Sequence, residues 1–352
     1  MIGRGSYGEV WLACSVMGFW RAVKVIHRAS FEHERPFERE FAGIKRYEPI
    51  SRSHEGLVHV LHVGRSPDFS YFYYVMELAD DVSGSSNTIN ADNYIPGTLS
   101  RGGAHAITPE QCVSIGLSLA AALGQLHKSG LIHRDVKPSN IILVHGRPKL
   151  ADIGLVAEFG ESRSVVGTEG FIPPEGTGTP QADIFALGKV LYEISTGLDR
   201  NQFPKLPREW LDAASPNRTL LELNEVVLKA CEASPARRHQ SAAELQAELA
   251  LIQVGRSVRR IRFVERRLKW ATRIGAAAVL LGLAASAFSV LAQRQAARDR
   301  NNLQRVERAE KQMREQLAHS LLAEARARVQ RLYSHQTTNP VAHARKCQDR
   351  ER

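Results

Sequence analysis

Short apolar runs dominate the first eighty residues. Residues 2–11 read as strand, glycine turn and strand, and 21–26, with Ala22, Val23, Val25 and Ile26, as a buried strand. Pro36 suits the first position of a helix, in which Phe37, Phe41, Ile44 and Tyr47 recur at helical spacing. Residues 57–63 and 71–78 read as two more strands, which makes five. The stretch 80–107 is rich in Gly, Ser, Asn and Asp and has no period, so it reads as a loop or insertion. Helical patterning resumes at 109–127, with Thr108 as cap, Pro109 as first residue and Glu110-Gln111 in the first turn. Two apolar stretches, 141–144 and 148–150, frame a hairpin-like turn at His145-Gly146. Residues 180–196 form a strongly apolar helix, and 220–233 and 241–252 two amphipathic ones. After an arginine-dense stretch at 256–273, residues 274–292 run for 19 positions without a charge. That is long enough to cross a bilayer core of ~30 Å. A buried core helix would usually keep a polar edge, so the run reads as a membrane span. Residues 293–335 are a long charged helix with a weak heptad seam, Leu303, Val306, Met313 and Leu317, broken at Glu310. The tail after Pro340 reads as disordered.

Composition adds one asymmetry. The apolar fraction of 43% and charged fraction of 24% are those of a globular protein. The net charge of +10 is unevenly spread: residues 1–255 hold 25 Lys/Arg and 29 Asp/Glu, whereas 256–352 hold 22 and 8. A basic tail implies a solvated helix, nucleic acid or an anionic membrane surface, and the apolar run inside it favours the membrane. Cys14, Cys112, Cys231 and Cys347 form no C-x-x-C pair, which argues against zinc and a disulfide framework. No basic-then-apolar signal segment opens the sequence.

The densest chemistry lies in Ile132-His133-Arg134-Asp135-Val136-Lys137-Pro138-Ser139-Asn140. In a phosphoryl-transfer site such an aspartate accepts the proton of an attacking hydroxyl. The lysine offsets phosphate charge and the asparagine holds a metal ion. Asp152-Ile153-Gly154 supplies a second metal-ligand candidate. Upstream, Gly3-Arg4-Gly5-Ser6-Tyr7-Gly8 lets backbone amides approach phosphate oxygens. Alone this motif is weak, since dinucleotide folds share it and a plain hairpin turn would serve. Dinucleotide folds run from it into a helix, but here Glu9-Val10-Trp11-Leu12 returns to strand. A lone lysine in an apolar strand usually points to solvent, so Lys24 gains its meaning from its place after this turn.

These pieces, in this order, resemble the protein kinase signature set over about residues 2–252. With the basic segment and span, the chain resembles bacterial receptor-type serine/threonine kinases. The resemblance implies an α+β, bilobal kinase fold. A small lobe of five strands and one helix (1–79) precedes a larger, mainly helical lobe (80–252). A basic juxtamembrane segment (253–273), a single transmembrane helix (274–292), an extracytoplasmic helical stalk (293–335) and a disordered tail (336–352) complete the chain. It implies ATP and Mg²⁺ as cofactors. Asp135 and Lys137 carry catalysis, with Lys24 on the α/β-phosphates. The preferred ion-pair partner of Lys24 is Glu40, on the inward helix face, over Glu38 and Glu34. Asn140 and Asp152 hold metal. Ile2, Gly3, Gly5, Gly8, Val10, Ala22, Lys24, Met76, Glu77 and Ala79 bind the nucleotide, Glu77 and Ala79 through backbone groups on the adenine edge.

The same resemblance gives Thr168 a place beside Asp135 and Lys137, pairs Glu175 with Arg238, and makes Asp183 the buried support of the catalytic loop. Arg134 would meet a phosphate on Ser162 or Ser164. Ile153 and Pro173 depart from the usual pattern without removing a catalytic group. The implied function is phosphorylation of protein Ser/Thr hydroxyls at the inner membrane. The domain faces the cytoplasm, without nucleic acid, and Ala278, Gly282 and Ser286 offer a homodimer face in the span. The alternative is a catalytically inactive pseudokinase acting as a membrane-tethered scaffold.

Overall fold

A computed structural model describes residues 1–4, 8–83, 89–100, 107–152, 157–158, 167–211 and 217–336. The chain divides into two units, residues 1–264 and 265–352. In the first, β1 (Gly3–Arg4), β2 (Gly8–Cys14), β3 (Trp20–His27), β4 (Val60–Arg65) and β5 (Tyr71–Met76) form an antiparallel sheet of order β1-β2-β3-β5-β4. Helix α1 (Glu34–Ser51) covers it with the expected stripe: Phe37, Ile44 and Tyr47 are buried. The rings of Phe37 and Phe41 each lie 5.2 Å from that of Phe72 on β5. The helix begins two residues before Pro36. The first turn of a helix leaves its N–H groups unpaired anyway, so proline costs little there.

The second part of this unit is built on α2 (Pro109–Lys128). Its start is a reciprocal cap: Gln111 N–H donates to Thr108 Oγ1 at 3.2 Å, and Thr108 N–H to Gln111 Oε1 at 2.8 Å. Short strands β6 (Leu131–Ile132) and β9 (Ala157–Glu158) pair, and β7 (Ile141–Val144) and β8 (Arg147–Leu150) form the hairpin. Helix α3 (Pro180–Thr196) is buried on most sides, and Gly188 is the reason it can be. A Cβ there would stand 2.7 Å from Cys231 Sγ and 2.9 Å from Ala230 Cβ. Helices α4 (Arg208–Leu211), α5 (Arg218–Ala230) and α6 (Ala242–Gln253) close the layer.

The described parts of 80–107 are tied down. Asp81 bridges Pro96, and Thr98 bridges Ile142 on β7. Leu57, expected in a strand, makes only an isolated bridge to Leu150. Helix α7 (Val258–Gln336) takes in most of the basic segment, the apolar run and the charged stretch; Val258 at its start is buried, whereas Ile274, Leu280, Leu283 and Leu291 of the apolar run are exposed.

Candidate active site

The loop after β6 is shaped by one buried carboxylate. Asp183, on α3, accepts the backbone N–H groups of His133 at 2.8 Å and Arg134 at 2.9 Å, and lies 2.8 Å from His127 Nε2. These bonds hold Arg134 at φ 70°, a left-handed conformation that costs a non-glycine residue free energy. The next residue, Asp135, is thereby presented with both oxygens engaged. Lys137 Nζ lies 2.7 Å from Oδ2, and Asn140 Nδ2 donates to the same oxygen at 2.9 Å. The Thr168 hydroxyl donates to Oδ1 at 3.0 Å and accepts from Lys137 Nζ at 2.8 Å. A hydroxyl therefore rests on a carboxylate that can take its proton, beside an ammonium that can offset the charge that develops.

Facing this loop is a cavity of about 340 Å³. Ile2, Gly3, Val10, Ala22, Lys24, Met76, Glu77 and Ala79 line it, together with Lys137, Asn140 and Asp152. Lys24 is buried and forms an ion pair with Asp152. Burial works against its charge, but the acidic groups of Tyr74, Asp152 and Glu40 raise its pKa above the ordinary lysine value. Asp152 is also disfavoured by burial, yet Lys24 holds its carboxyl below the usual range. It sits at φ 57°.

The expected Lys24–Glu40 ion pair is not formed. Glu40 lies within electrostatic reach of Lys24, but its Oε2 is buried without a hydrogen-bond partner. Burial pushes its carboxyl up to about 8, against the attraction of Lys24. A neutral carboxyl competes poorly with ionised Asp152 for the ammonium. Gly8 also differs from expectation, since it does not line the cavity. Its lack of a side chain serves the sheet instead: a Cβ would stand 2.3 Å from the Val25 carbonyl oxygen.

At the end of β5 the side chain of Glu77 is committed elsewhere. It accepts from buried Lys149 Nζ at 2.7 and 3.0 Å and from His59 N–H at 3.0 Å. Only main-chain groups remain for a ligand. The Glu77 N–H is used by the His59 carbonyl at 3.1 Å. Among the described residues, the Glu77 carbonyl and the Ala79 N–H have no partner.

The model of the protein kinase domain family matches residues 1–213. The chain belongs to that family. A probable serine/threonine-protein kinase of Clostridium perfringens is 31% identical over 279 residues, which is 72% of this chain and 37% of the relative. The serine/threonine-protein kinase PrkC of Bacillus subtilis is 25% identical, over 71% of this chain and 39% of its own length. PknB of Mycolicibacterium smegmatis is 30% identical, over 73% and 43%. The chain thus spans about two fifths of the length of these curated relatives.

Elsewhere in the kinase domain, buried Arg238 holds Glu175 through two contacts, one of them Nη2 to Oε2 at 2.9 Å. Gly5, Ile153, Ser162 and Ser164 lie outside the described residues. Several cavity residues escaped sequence reasoning: Tyr74, Tyr94, Pro96, Thr98, Ser139, Ile142 and Ala151. Tyr74 and Ala151 sit beside motif positions and could have been found by strand alternation. Tyr94, Pro96 and Thr98 come from the aperiodic stretch, where no local signal marks them.

Proposed function

We propose that this chain is a membrane-anchored serine/threonine protein kinase that transfers the γ-phosphate of ATP to protein hydroxyls, its own among them. The triangle of Asp135, Lys137 and the Thr168 hydroxyl carries the reading. Thr168 stands in for the oxygen of a substrate serine or threonine. Asp135 orients that hydroxyl and accepts its proton, while Lys137 offsets charge on the moving phosphate. Lys24 binds the α/β-phosphates. Asn140 and Asp152 fit Mg²⁺, because the Asn140 amide nitrogen is spent on Asp135 and leaves its oxygen as ligand, and Asp152 stays ionised. When bound, that ion neutralises phosphate charge. The protein contributes positioning and fixed charge rather than covalent chemistry.

One observation favours a second reading, the non-catalytic scaffold: Lys24 pairs with Asp152 rather than Glu40. Phosphate transfer from labelled ATP separates the two. Asp135→Asn is expected to lower transfer by about 100-fold or more while ATP still shifts the melting temperature. Undiminished transfer would remove the assignment of Asp135. Wild-type protein that binds ATP and never transfers would leave the scaffold.

The anchor is the apolar part of α7, whose best window has mean hydropathy 2.2 and is 0% buried. Residues 256–273 carry eight Lys/Arg and 293–310 carry five, so the kinase domain faces the cytoplasm of a bacterial inner membrane and 293–352 lie outside. Ala278, Gly282 and Ser286 would bring two spans together as a homodimer.

A further inference from the structure

Three main-chain groups follow one another along the strip that leaves β5: the Glu77 carbonyl, the Ala79 N–H and the Ala79 carbonyl. The first two are free among the described residues. The third is not. The Tyr94 hydroxyl donates to the Ala79 carbonyl oxygen at 2.8 Å. Tyr94 is 7% exposed and lines the cavity beside that carbonyl.

The contact is fixed by backbone. Ahead of Pro96, Ile95 N–H donates to Asp81 Oδ1 at 3.1 Å, and Val82 N–H to the Ile95 carbonyl at 3.0 Å. Gly97 N–H donates to the Asp80 carbonyl at 2.8 Å, so close that a Cβ on Gly97 would stand 3.1 Å from that oxygen. Beyond it, Leu143 N–H meets the Gly97 carbonyl at 2.9 Å and Leu99 N–H the Ile141 carbonyl at 3.0 Å. Tyr94 is therefore held next to a segment stitched both to the strip and to β7. Burial, then the charges of Asp81 and Asp80, raise the pKa of its phenol, so it keeps its proton and remains a donor.

A purine meets such a strip edge-on. Its 6-, 1- and 2-positions face a carbonyl, an N–H and a second carbonyl in turn. Adenine offers an amino group, a ring nitrogen and a C–H there, so it needs only the first two. A purine with a 2-amino group needs the third acceptor as well, since an amino group buried without one loses its bonds to water. We infer that Tyr94 is a specificity-determining residue of the nucleotide site, which takes up acceptor capacity of the Ala79 carbonyl and so weakens the third hydrogen bond that 2-aminated purines need. Guanine is disfavoured at all three positions, because its 6-oxo group also faces the Glu77 carbonyl and its N1–H faces the Ala79 N–H. The inference rests on the proposal that the cavity binds ATP.

The test compares the affinities of the full chain, in detergent, for ADP and for the diphosphate of 2,6-diaminopurine riboside, by calorimetry. The probe differs from ADP only by the 2-amino group. The wild type is expected to bind it no more tightly than ADP. In Tyr94→Phe the ratio should move toward the probe by about fivefold, the usual worth of one neutral hydrogen bond. A purely structural role for Tyr94 would weaken both ligands together and leave the ratio alone. An unchanged ratio in the variant overturns the inference. So does a wild type that already prefers the probe by that factor, and this arm stands if the variant does not fold. A wild type that binds neither ligand sinks the nucleotide reading of the cavity, and this inference with it.

Discussion

Glu40 holds its proton up to about pH 8, because burial penalises its charge more than Lys24 favours it. In the unfolded chain the same group ionises near 4.5. The folded state therefore binds more protons between those values, and the contribution of this residue to stability falls as pH rises through that window. It is fully present below 4.5 and lost above 8. Glu40→Gln should flatten that part of the pH–stability curve and raise the melting temperature at pH 8 more than at pH 5. An equal effect at both values would refute the assignment. Much of this site was legible because its chemistry is written in contiguous motifs: Lys24, Asp135, Lys137, Asn140 and Asp152 converge around one cleft. The choice of Asp152 over Glu40 for Lys24 was not, because it turns on the burial of one carboxyl, and no residue spacing encodes that.

Glu248 of α6 shows how elements are tied to one another. It takes Lys229 Nζ of α5 at 2.9 Å, His239 Nε2 at 2.7 Å and Arg262 Nε of α7 at 3.0 Å. Burial opposes its charge, but these donors hold its carboxyl well below the usual range. Nearby, Val258 N–H donates to Glu222 at 2.9 Å and Arg259 pairs with Glu225, so the first turns of α7 are seated on α5 and α6. Glu248→Ala leaves Arg262 without its carboxylate and Lys229 with Glu244 alone, and should cost about 3 kcal/mol, measured by urea unfolding. A cost within the error of the measurement would mean that the contacts are incidental. For a depressed carboxylate the sign is opposite to that of Glu40: its stabilisation is lost as pH falls. Elements such as α2 were readable because the Thr108–Gln111 cap is local. The stretch 89–100 was not, because its order comes from main-chain pairing with residues far along the chain, which leaves no side-chain period.

At the scale of the whole molecule, the proposed topology rests on α7. Protease added outside intact spheroplasts should trim 293–352 and spare the kinase domain, and a protected tail would reverse the orientation. Gly282→Ile should lower autophosphorylation in membranes, and an unchanged rate would remove the dimer. The candidate span was visible in sequence because 19 uncharged residues are a one-dimensional signal. The seating of residues 258–262 on α5 and α6 was not, because it depends on three glutamates contributed by two other helices. Asp183 has a consequence in time. The amide protons of His133 and Arg134 point into its buried carboxylate, so neither can reach solvent while α3 stays in place. In deuterated water those two amides should exchange as slowly as the core of the large lobe, although the loop that carries them opens onto the cavity. The loop that carries Asp135 keeps the clock of helix α3.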